Sequence, residues 1–343
     1  MKALAFNEFG GTEKLKLQDV PDPKIGTGDV LVRVRACALN HLDIFVREGI
    51  PALKTPLPFW TGCDIAGDVA DVGASVKSVK VGDRVAVNPN LTCGRCEFCI
   101  QGEDSMCVRY GILGEHAPGG MAELVAVRAE NVLALPDHVS YEQAASFILT
   151  NMTAWRMVVT QGQVRAGQDV LILGVGGGVS STAVQIAKLA GARVFVTSSS
   201  DEKLERARNL GADVGINYTR EDWAKAVFEK TNKRGVDLVI ENVGTQTWKQ
   251  SLRSLVKGGR LVTCGATTGP IGETDLRIVF WNQIHIIGST MANRKEFGDV
   301  MQLLFDGKLR AIIDEVVPLK DGAAAQQRLA EGKQFGKIVL QVA

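Results

Sequence analysis

The feature that most constrains the fold of this chain is a glycine turn between an apolar run and a helix. Residues 170–178, VLILGVGGG, place a buried strand directly before the glycines, and VSSTAVQIAKLAG then opens a helix. Only glycine lets the backbone come close to a pyrophosphate at such a turn, and the helix N-terminus supplies aligned N–H donors for it. We therefore expect the phosphates of a dinucleotide to contact Gly176, Gly177, Gly178 and Val179.

The pattern on either side of the turn strengthens this expectation. GVDLVIENVG, GGRLVTCGA and QIHIIGST are further buried strands, with helical stretches such as TWKQSLRSLVKG between them. Continuous apolar strands that alternate with amphipathic helices predict a parallel sheet covered on both faces. A glycine cluster alone is weak evidence because glycine also makes ordinary tight turns, but within repeated βα units it indicates a dinucleotide site.

The first 145 or so residues have a different character. DVLVRVRACAL alternates apolar and charged residues, and AGDVADVGASVKSVKVGDRVAV reads as two strands with Gly-Asp turns. This region predicts an irregular β barrel, and the later stretches RKEFGDVMQLLFDG and FGKIVLQV are expected to return to it. A chain of 343 residues exceeds the usual size of one core. We predict a first domain at 1–147, completed by 291–343, and a dinucleotide-binding domain at 148–290.

Composition excludes several classes of partner. The net charge of +1, with 22% charged residues, gives no electrostatic footprint for nucleic acid or for an anionic membrane. The start, MKALAFNEFG, lacks the long apolar core of a secretory signal, and no run of about 18 apolar residues could span a bilayer. We expect a cytoplasmic protein that acts on a small molecule.

Four of the seven cysteines fall within CGRCEFCIQGEDSMC, with the spacing C-x2-C-x2-C-x7-C. In a reducing cytosol, clustered thiols more often bind metal than form disulfides. An iron–sulfur cluster is the weaker metal reading, because ferredoxin-type runs continue C-x3-C-P. A metal-free lobe is the remaining alternative. Cys37 and Cys264 are interpreted as small buried hydrophobes.

The end of the second strand bears on the choice of dinucleotide. An NAD site normally places Asp or Glu there, about 20 residues past the turn, to hold the ribose 2′-hydroxyl. Here RVFVTSSSDEK presents hydroxyls, among them Ser198 and Ser199, with Lys203 close behind. Asp201 is the alternative acidic residue, but we interpret it as the N-cap of the next helix. The segment favours NADP(H) over NAD(H).

The order of parts and several motifs now carry a family resemblance. GDRVAV, GGMAELVAV, VQIAKLAGA, LGAD and GKIVL stand in this chain as they do in the medium-chain dehydrogenase/reductase superfamily. The chain resembles its zinc-type alcohol dehydrogenase-like and quinone oxidoreductase-like branch over essentially its whole length. One departure is Ser180, where the family has the last glycine of the turn. The resemblance implies an α/β fold: a GroES-like β-barrel catalytic domain plus a Rossmann doubly wound parallel sheet.

The resemblance also implies one structural zinc per chain in the cysteine lobe. Its ligands would be Cys93, Cys96, Cys99 and Cys107. The chemistry agrees, because four thiolates close a tetrahedral shell and leave no open position for a substrate.

Zinc-dependent members of the family hold a second, catalytic zinc, and its ligand positions are altered here. Asn40 replaces the cysteine of the first segment, Cys63 replaces the histidine of the second, and the third position falls near Leu149. An amide, one thiol and a leucine do not make a catalytic zinc site. A salvaged site built from Cys63, Asp64 and His41 is the alternative.

Loss of that metal changes the expected chemistry. Carbonyl reduction puts charge on an oxygen that zinc would polarise, whereas conjugate reduction spreads charge over an enolate that hydrogen-bond donors can stabilise. We expect an NAD(P)H-dependent oxidoreductase that reduces an activated C=C bond of an enone, quinone or enoyl thioester. Asn40 is the candidate donor, with a buried amide that satisfies a loop as the alternative. An alcohol dehydrogenase and a non-catalytic NADPH-binding protein are the rival functions.

The resemblance assigns further cofactor contacts position by position. His41 would meet the pyrophosphate, Thr153 the nicotinamide, and Tyr218 with Lys203 the 2′-phosphate, whereas Asp43 is expected to be structural. Contacts at two strand ends and in the last segment complete the set: Asn242, Val243, Gly265, Ala266 and Lys337.

The resemblance implies pairing through an edge strand of the nucleotide-binding sheet, and HIIGST is the apolar candidate for that edge. Joining two sheets across a two-fold axis would hide Ile284 and Ile286, and we predict a homodimer or homotetramer.

Overall fold

The computed structural model describes residues 1–342, which form two compact units. The first comprises Met1–Leu149 with the segment from Asn293 onward, and the second is Thr150–Ala292. These boundaries fall two residues beyond the predicted 147 and 290. The predicted architecture, a β-rich unit and a doubly wound parallel sheet, is confirmed.

Seventeen strands are present in the described part of the chain. In chain order they are β1 (Lys2–Ala5), β2 (Lys16–Asp19), β3 (Asp29–Ala38), β4 (Asp64–Val72), β5 (Arg84–Val87), β6 (Asn90–Leu91), β7 (Gly111–Ile112), β8 (Leu124–Arg128), β9 (Val132–Ala134), β10 (Asp169–Ile172), β11 (Arg193–Ser198), β12 (Val214–Asn217), β13 (Val236–Glu241), β14 (Leu255–Thr263), β15 (His285–Gly288), β16 (Ile313–Pro318) and β17 (Lys337–Gln341).

Ten α-helices accompany them over residues 1–342. They are α1 (His41–Glu48), α2 (Glu97–Ile100), α3 (Tyr141–Trp155), α4 (Gly178–Leu189), α5 (Asp201–Arg208), α6 (Trp223–Lys230), α7 (Trp248–Arg253), α8 (Leu276–Asn282), α9 (Arg294–Phe305) and α10 (Gly322–Ala330). A π-helical segment, Arg156–Gln161, follows α3. Within the described residues, none of the helices combines the length and the apolar character needed to cross a membrane.

The first unit is built around β3. Its inward residues Val30, Val32 and Val34 are fully buried, whereas Arg33 between them is exposed, as the alternating sequence predicts. The large sheet runs β16-β17-β3-β4-β5-β9, and β8 also pairs with β3. Because β17 lies antiparallel to β3, the last strand returns to the first unit, as FGKIVLQV predicted.

The second unit is a six-stranded sheet in the order β12-β11-β10-β13-β14-β15, with every neighbouring pair parallel. The chain first adds strands on one side of β10 and then crosses to β13 on the other side. The carboxyl ends of β10 and β13 therefore form the topological switch point at which such sheets bind ligands. The glycine turn follows β10 and Asn242 follows β13, so the topology brings two of the predicted cofactor segments together.

Two elements of the first unit were absent from the sequence prediction. Strand β16, IDEVVP, carries two acidic residues in six and forms by parallel pairing with β17. Helix α10, GAAAQQRLA, has a weak apolar stripe, but it buries Ala325 and Leu329 in the core of the first unit. Both are stabilised by tertiary contacts that local patterning does not reveal.

Candidate functional site

The four cysteines of the C-x2-C-x2-C-x7-C motif converge on one short lobe. Cys96 directly precedes α2, Cys99 lies within it, and Cys107 follows the 3-10 turn Asp104–Met106. The four Sγ atoms all lie within 4.8 Å of one another. The backbone N–H groups of Cys93 and Arg109 donate to Cys107 Sγ at 3.2 and 3.4 Å.

This arrangement fits a tetrahedral metal. Zn–S bonds of about 2.3 Å place tetrahedral sulfurs about 3.8 Å apart, and amide donors to sulfur stabilise thiolates. Four sulfur ligands leave no open coordination position, so the lobe holds its loop together and offers a substrate nothing to bind. No other group of three or more His, Cys, Asp or Glu ligands converges in residues 1–342.

Asn40, one of the altered ligand positions, belongs to a buried polar cluster in the first unit. Asn40 follows β3, Asp64 begins β4 and Lys337 begins β17, and these strands are neighbours in the sheet. Lys337 Nζ donates to Asn40 Oδ1 at 2.6 Å and to Asp64 Oδ2 at 2.8 Å. The Lys337 and Asp64 side chains are 4% and 0% exposed, so this is a desolvated ion pair held by hydrogen bonds.

The Asn40 amide is engaged at both ends. Its Nδ2 donates to Asp64 Oδ2 at 2.9 Å, with longer contacts to Cys63 Sγ at 3.4 Å and to the Ala38 carbonyl at 3.5 Å. Sulfur is a weak acceptor, so the contact with Cys63 is the one most easily exchanged for another oxygen.

The cluster does not fit a catalytic zinc. Both Asp64 oxygens are occupied, because the Leu149 N–H donates to Oδ1 at 2.7 Å and Lys337 with Asn40 holds Oδ2. Burial, with the charges of Asp64 and Asp43, raises the pKa of the Cys63 thiol well above its usual value. A dication would meet an amide, a protonated thiol and a competing ammonium. The alternative site from Cys63, Asp64 and His41 does not assemble among the described ligands.

His41 and Asp43 occupy the first turn of α1. Burial and the nearby Lys337 charge lower the pKa of His41, so its imidazole is neutral at neutral pH. Asp43 accepts from the backbone N–H groups of Asn40 at 2.7 Å and Gly62 at 2.9 Å, which joins the start of α1 to the segment before β4. Burial raises the Asp43 pKa to about 6.

The glycine turn lies where the sequence predicts it, between β10 and α4. Gly177 is the N-cap of α4, and Gly178 and Val179 begin the helix. The Lys203 side chain lies over the turn, since a Cβ at position 176 would come within 3.2 Å of its Nζ. Gly176 therefore leaves room for the lysine, and an ammonium stands beside the predicted phosphate position.

The predicted ribose end gathers residues from β11, α5 and the segment after β12. Ser198 is buried, with its Oγ accepting from the Ser200 N–H at 3.2 Å and its carbonyl from the Tyr218 N–H at 3.1 Å. Ser199 is exposed and Tyr218 is half-exposed, so a hydroxyl and a phenol are open to solvent at this end of the sheet.

The interpretation of Asp201 as an N-cap is wrong by one residue. Ser200 caps α5, and its Oγ accepts from the Lys203 N–H at 3.3 Å. Asp201 is the first helical residue; its Oδ1 accepts from Asn217 at 2.7 Å and its carboxylate pairs with Arg220. Both Asp201 oxygens therefore have a partner within the second unit.

Ser180 has a structural role at the switch point. Its Oγ donates to the Leu173 carbonyl at 2.7 Å and accepts from Asn242 Nδ2 at 3.0 Å. The residue that replaces the last turn glycine thus ties the end of β10 to the segment after β13. The departure from the family pattern fixes the orientation of Asn242.

A cavity of about 280 Å³ opens at the carboxyl ends of β13 and β14. Gly265 and Ala266 line it, whereas Val243 lies in the neighbouring loop. Thr153 is buried elsewhere in the second unit, in α3, with its hydroxyl 3.8 Å from Met291 Sδ.

Sequence reasoning missed Glu241, the last residue of β13. It is fully buried, although the strand VDLVIE is otherwise apolar at that end. A carboxylate that closes an apolar strand at a ligand-binding edge was the available signal.

Comparison with known proteins gives two family matches. Residues 26–137 match the model described as "Alcohol dehydrogenase GroES-like domain", and residues 178–306 match "Zinc-binding dehydrogenase".

Individual relatives cover the whole chain. An alcohol dehydrogenase of Geobacillus stearothermophilus is 34% identical and covers 100% of both chains. An acryloyl-coenzyme A reductase of Metallosphaera sedula is 30% identical over 99% of each chain. A crystal structure of an NAD-dependent alcohol dehydrogenase is 43% identical, with a TM-score of 0.96 and full coverage of both chains.

Replacing Cys96 and Cys99 by serine should lower stability and leave nucleotide binding intact. A change of 1 kcal/mol shifts the Tm of a domain this size by about 2–4 °C, so losing a four-thiolate metal site should lower the Tm by about 10 °C or more. Differential scanning calorimetry, with nucleotide titration of the folded fraction at low temperature, checks this. A chelator added to the unaltered protein should reproduce the loss. A double variant with an unchanged Tm and no activity would show that the lobe takes part in catalysis.

Proposed function

This chain belongs to the medium-chain dehydrogenase/reductase superfamily, among its zinc-type alcohol dehydrogenase-like members, and from that premise we propose that it transfers hydride from NADPH to an activated C=C bond without a catalytic metal. The family makes it an oxidoreductase. The substrate class proposed is an enone, a quinone or an enoyl thioester.

The Lys337–Asp64–Asn40 cluster carries this proposal. The positions that would ligate a catalytic zinc hold an amide, a single protonated thiol and a leucine, and a lysine ammonium lies among them. Without a Lewis acid, a reaction whose charge is spread over an enolate is favoured over one that builds an alkoxide. Relatives named acryloyl-coenzyme A reductase support the assignment.

The cluster can supply the stabilising donor. NADPH, when bound, would supply the hydride to the β-carbon, and the enolate so formed would take a proton from solvent at its α-carbon. The Lys337 ammonium lies 2.6 Å from Asn40 Oδ1 and withdraws electron density from the amide, which makes its Nδ2 hydrogens stronger donors. Asn40 Nδ2 now donates one hydrogen weakly to Cys63 Sγ, at an N–S distance of 3.4 Å. Exchanging this weak bond for one to an enolate oxygen costs little free energy.

The nucleotide is NADP(H) in this proposal. Exposed Ser199 and Tyr218, with Lys203 beside the glycine turn, offer a 2′-phosphate two hydroxyls and an ammonium. The acidic residue of this segment, Asp201, is hydrogen-bonded to Asn217 and Arg220. The zinc of the proposal is one structural ion in the cysteine lobe.

Alcohol dehydrogenase activity is the second candidate, because the relatives include proteins of that name at 34% and 43% identity. In this site, alcohol dehydrogenase activity would require hydrogen-bond donors of the protein to polarise the substrate carbonyl without a metal ion. A non-catalytic NADPH-binding protein is the candidate of another class.

A substrate screen combined with metal analysis tests the function. NADPH oxidation should be fastest with enones, quinones or enoyl-coenzyme A esters and slow with simple aldehydes, and the purified protein should contain one zinc per chain. Stopped-flow absorbance at the NADPH band and elemental analysis give these values. Two zinc ions with aldehyde turnover would establish the alcohol dehydrogenase. NADPH binding without turnover of any of these substrates would establish the binding protein.

Lys203→Ala should weaken the binding of NADPH and leave the binding of NADH unchanged. A hydrogen bond between an ammonium and a phosphate contributes roughly 1.5–3 kcal/mol, so KM for NADPH should rise about 10- to 100-fold. Lys225→Ala, which removes an exposed lysine of α6, is the matched control. Equal weakening of NADPH and NADH would place the ammonium on the pyrophosphate that both cofactors share.

We also propose a homodimer through β15. This strand forms the edge of the parallel sheet, and Ile286 on it is 41% exposed. The adjacent α8 exposes Leu276, Phe280 and Trp281, which a second copy would cover. Ile284 contributes nothing to this face, contrary to the sequence expectation, because it is already buried in the core of the second unit.

Ile286→Glu should convert the dimer to a monomer. Charges placed opposite one another across the two-fold axis repel, and their burial in an apolar contact is unfavourable. Light scattering after size exclusion measures the mass, with Val81→Glu, at an exposed position of the first unit, as the control. A monomeric unaltered protein would contradict the proposal.

A further inference from the structure

A fully buried carboxylate lies directly beneath one of the loops assigned to the nucleotide. Glu241 ends β13 and is 0% exposed. Its Oε1 accepts from the backbone N–H groups of Val243 at 2.7 Å and Gly244 at 3.1 Å. Its Oε2 accepts from the hydroxyls of Thr247 at 2.9 Å and Ser251 at 2.7 Å.

All four donors come from the segment that follows Glu241 along the chain. Burying a carboxylate is costly unless its oxygens are saturated with donors, and here the saturation is supplied by this loop and the start of α7. The carboxylate therefore determines the path of the loop, since all four donors lie within the ten residues that follow it.

The bonds to Val243 and Gly244 turn the chain back sharply after the strand. Gly244 has φ +92°, and a Cβ there would lie 2.5 Å from the Gly269 carbonyl oxygen. The turn thus requires glycine, and it brings the loop after β13 against the loop after β14.

Threonine side chains join these two loops. Thr267 Oγ1 donates to the Asn242 carbonyl at 2.9 Å, and Thr268 Oγ1 donates to the Val243 carbonyl at 2.7 Å. In the opposite direction, Thr245 Oγ1 donates to the Ile271 carbonyl at 2.7 Å. Glu241 fixes one loop directly and the other through it, and together the loops line the cavity of about 280 Å³.

We propose that Glu241 is a positioning residue that holds the loops after β13 and β14 in the conformation that binds the nicotinamide nucleotide. This inference rests on the proposed function for the presence of that nucleotide, and it adds how the site is shaped. The nucleotide need not touch the carboxylate. The affinity for the nucleotide depends on Glu241 because a loop that already has the bound conformation loses no entropy when the nucleotide binds.

Glu241→Gln is the principal variant. The amide nitrogen of glutamine cannot accept from the hydroxyls of Thr247 and Ser251, and its oxygen is uncharged, so the four bonds weaken while the shape is kept. The Kd for NADPH and for NADH should each rise about 10-fold, a loss expected from weakening charge-assisted bonds. Fluorescence titration at low temperature measures Kd, and hydrogen exchange should be faster over residues 242–247 with the rest of the sheet unchanged.

Thr231→Val is the matched control. Thr231 lies just before β13, at the other end of the same strand, where its buried hydroxyl accepts from the Gly235 N–H at 3.0 Å. The same hydroxyl donates to the Val227 carbonyl at 2.8 Å, so this variant removes buried hydrogen bonds of the same kind and should leave both nucleotide affinities unchanged.

The outcomes separate this inference from the proposed function. Unchanged affinity in Glu241→Gln, or an equal loss in Thr231→Val, overturns the positioning role while nucleotide binding by the unaltered protein stands. An unaltered protein that binds neither NADPH nor NADH overturns both. If Glu241→Gln does not fold, Ser251→Ala tests the positioning role, because it deletes one of the four donors. About threefold weaker binding supports the role, and unchanged binding overturns it.

Discussion

The buried ion pair between Lys337 and Asp64 is the interaction on which the first unit depends most. The two residues are separated by 273 positions in the chain, and the pairing of β3 with both β17 and β4 brings them to 2.8 Å. A single buried charge would be strongly destabilising, so neither partner is tolerated without the other. The pair also determines what Asn40 can do, because both charged groups bind its amide.

The sequence was most informative where local pattern and local function coincide. The glycine turn, the cysteine lobe and the parallel strands are continuous segments whose spacing reports their structure, and the fold followed from them. The environment of Asn40 could not be predicted, because Lys337 reaches it from 297 residues away. The resemblance assigned Lys337 to the cofactor; the structure places its ammonium on Asn40 and Asp64. Helix α10 and strand β16 escaped prediction for the same reason, since their burial depends on partners distant in sequence.

Several buried polar groups of the second unit lie at one edge of its sheet. Ser180, Asn242 and Glu241 are tied to backbone or to one another at the carboxyl ends of β10 and β13, whereas the strand interiors are apolar. Sequence reasoning treated Ser180 as a tolerated departure and overlooked Glu241. Both were difficult to interpret from the chain because their value lies in which backbone groups they bind. For Ser180 the partner Asn242 is known only once the strand order is known, whereas the partners of Glu241 all lie within the next ten residues.

The lysine at the centre of the first unit has a further consequence for how such a site can change over time. A metal ion is shared by several ligands, so a protein can exchange it, lose it to a chelator or recruit another without altering its sequence. The ammonium of Lys337 is part of the polypeptide and cannot dissociate from it. Its position is determined by the hydrogen bonds to Asn40 and Asp64. Under the proposed function, return to a metal-dependent site would require replacing Asn40 and Leu149 with ligands and removing the lysine charge. Loss of Lys337 alone would leave the Asp64 carboxylate buried without its counter-charge, which is the unfavourable step on that path.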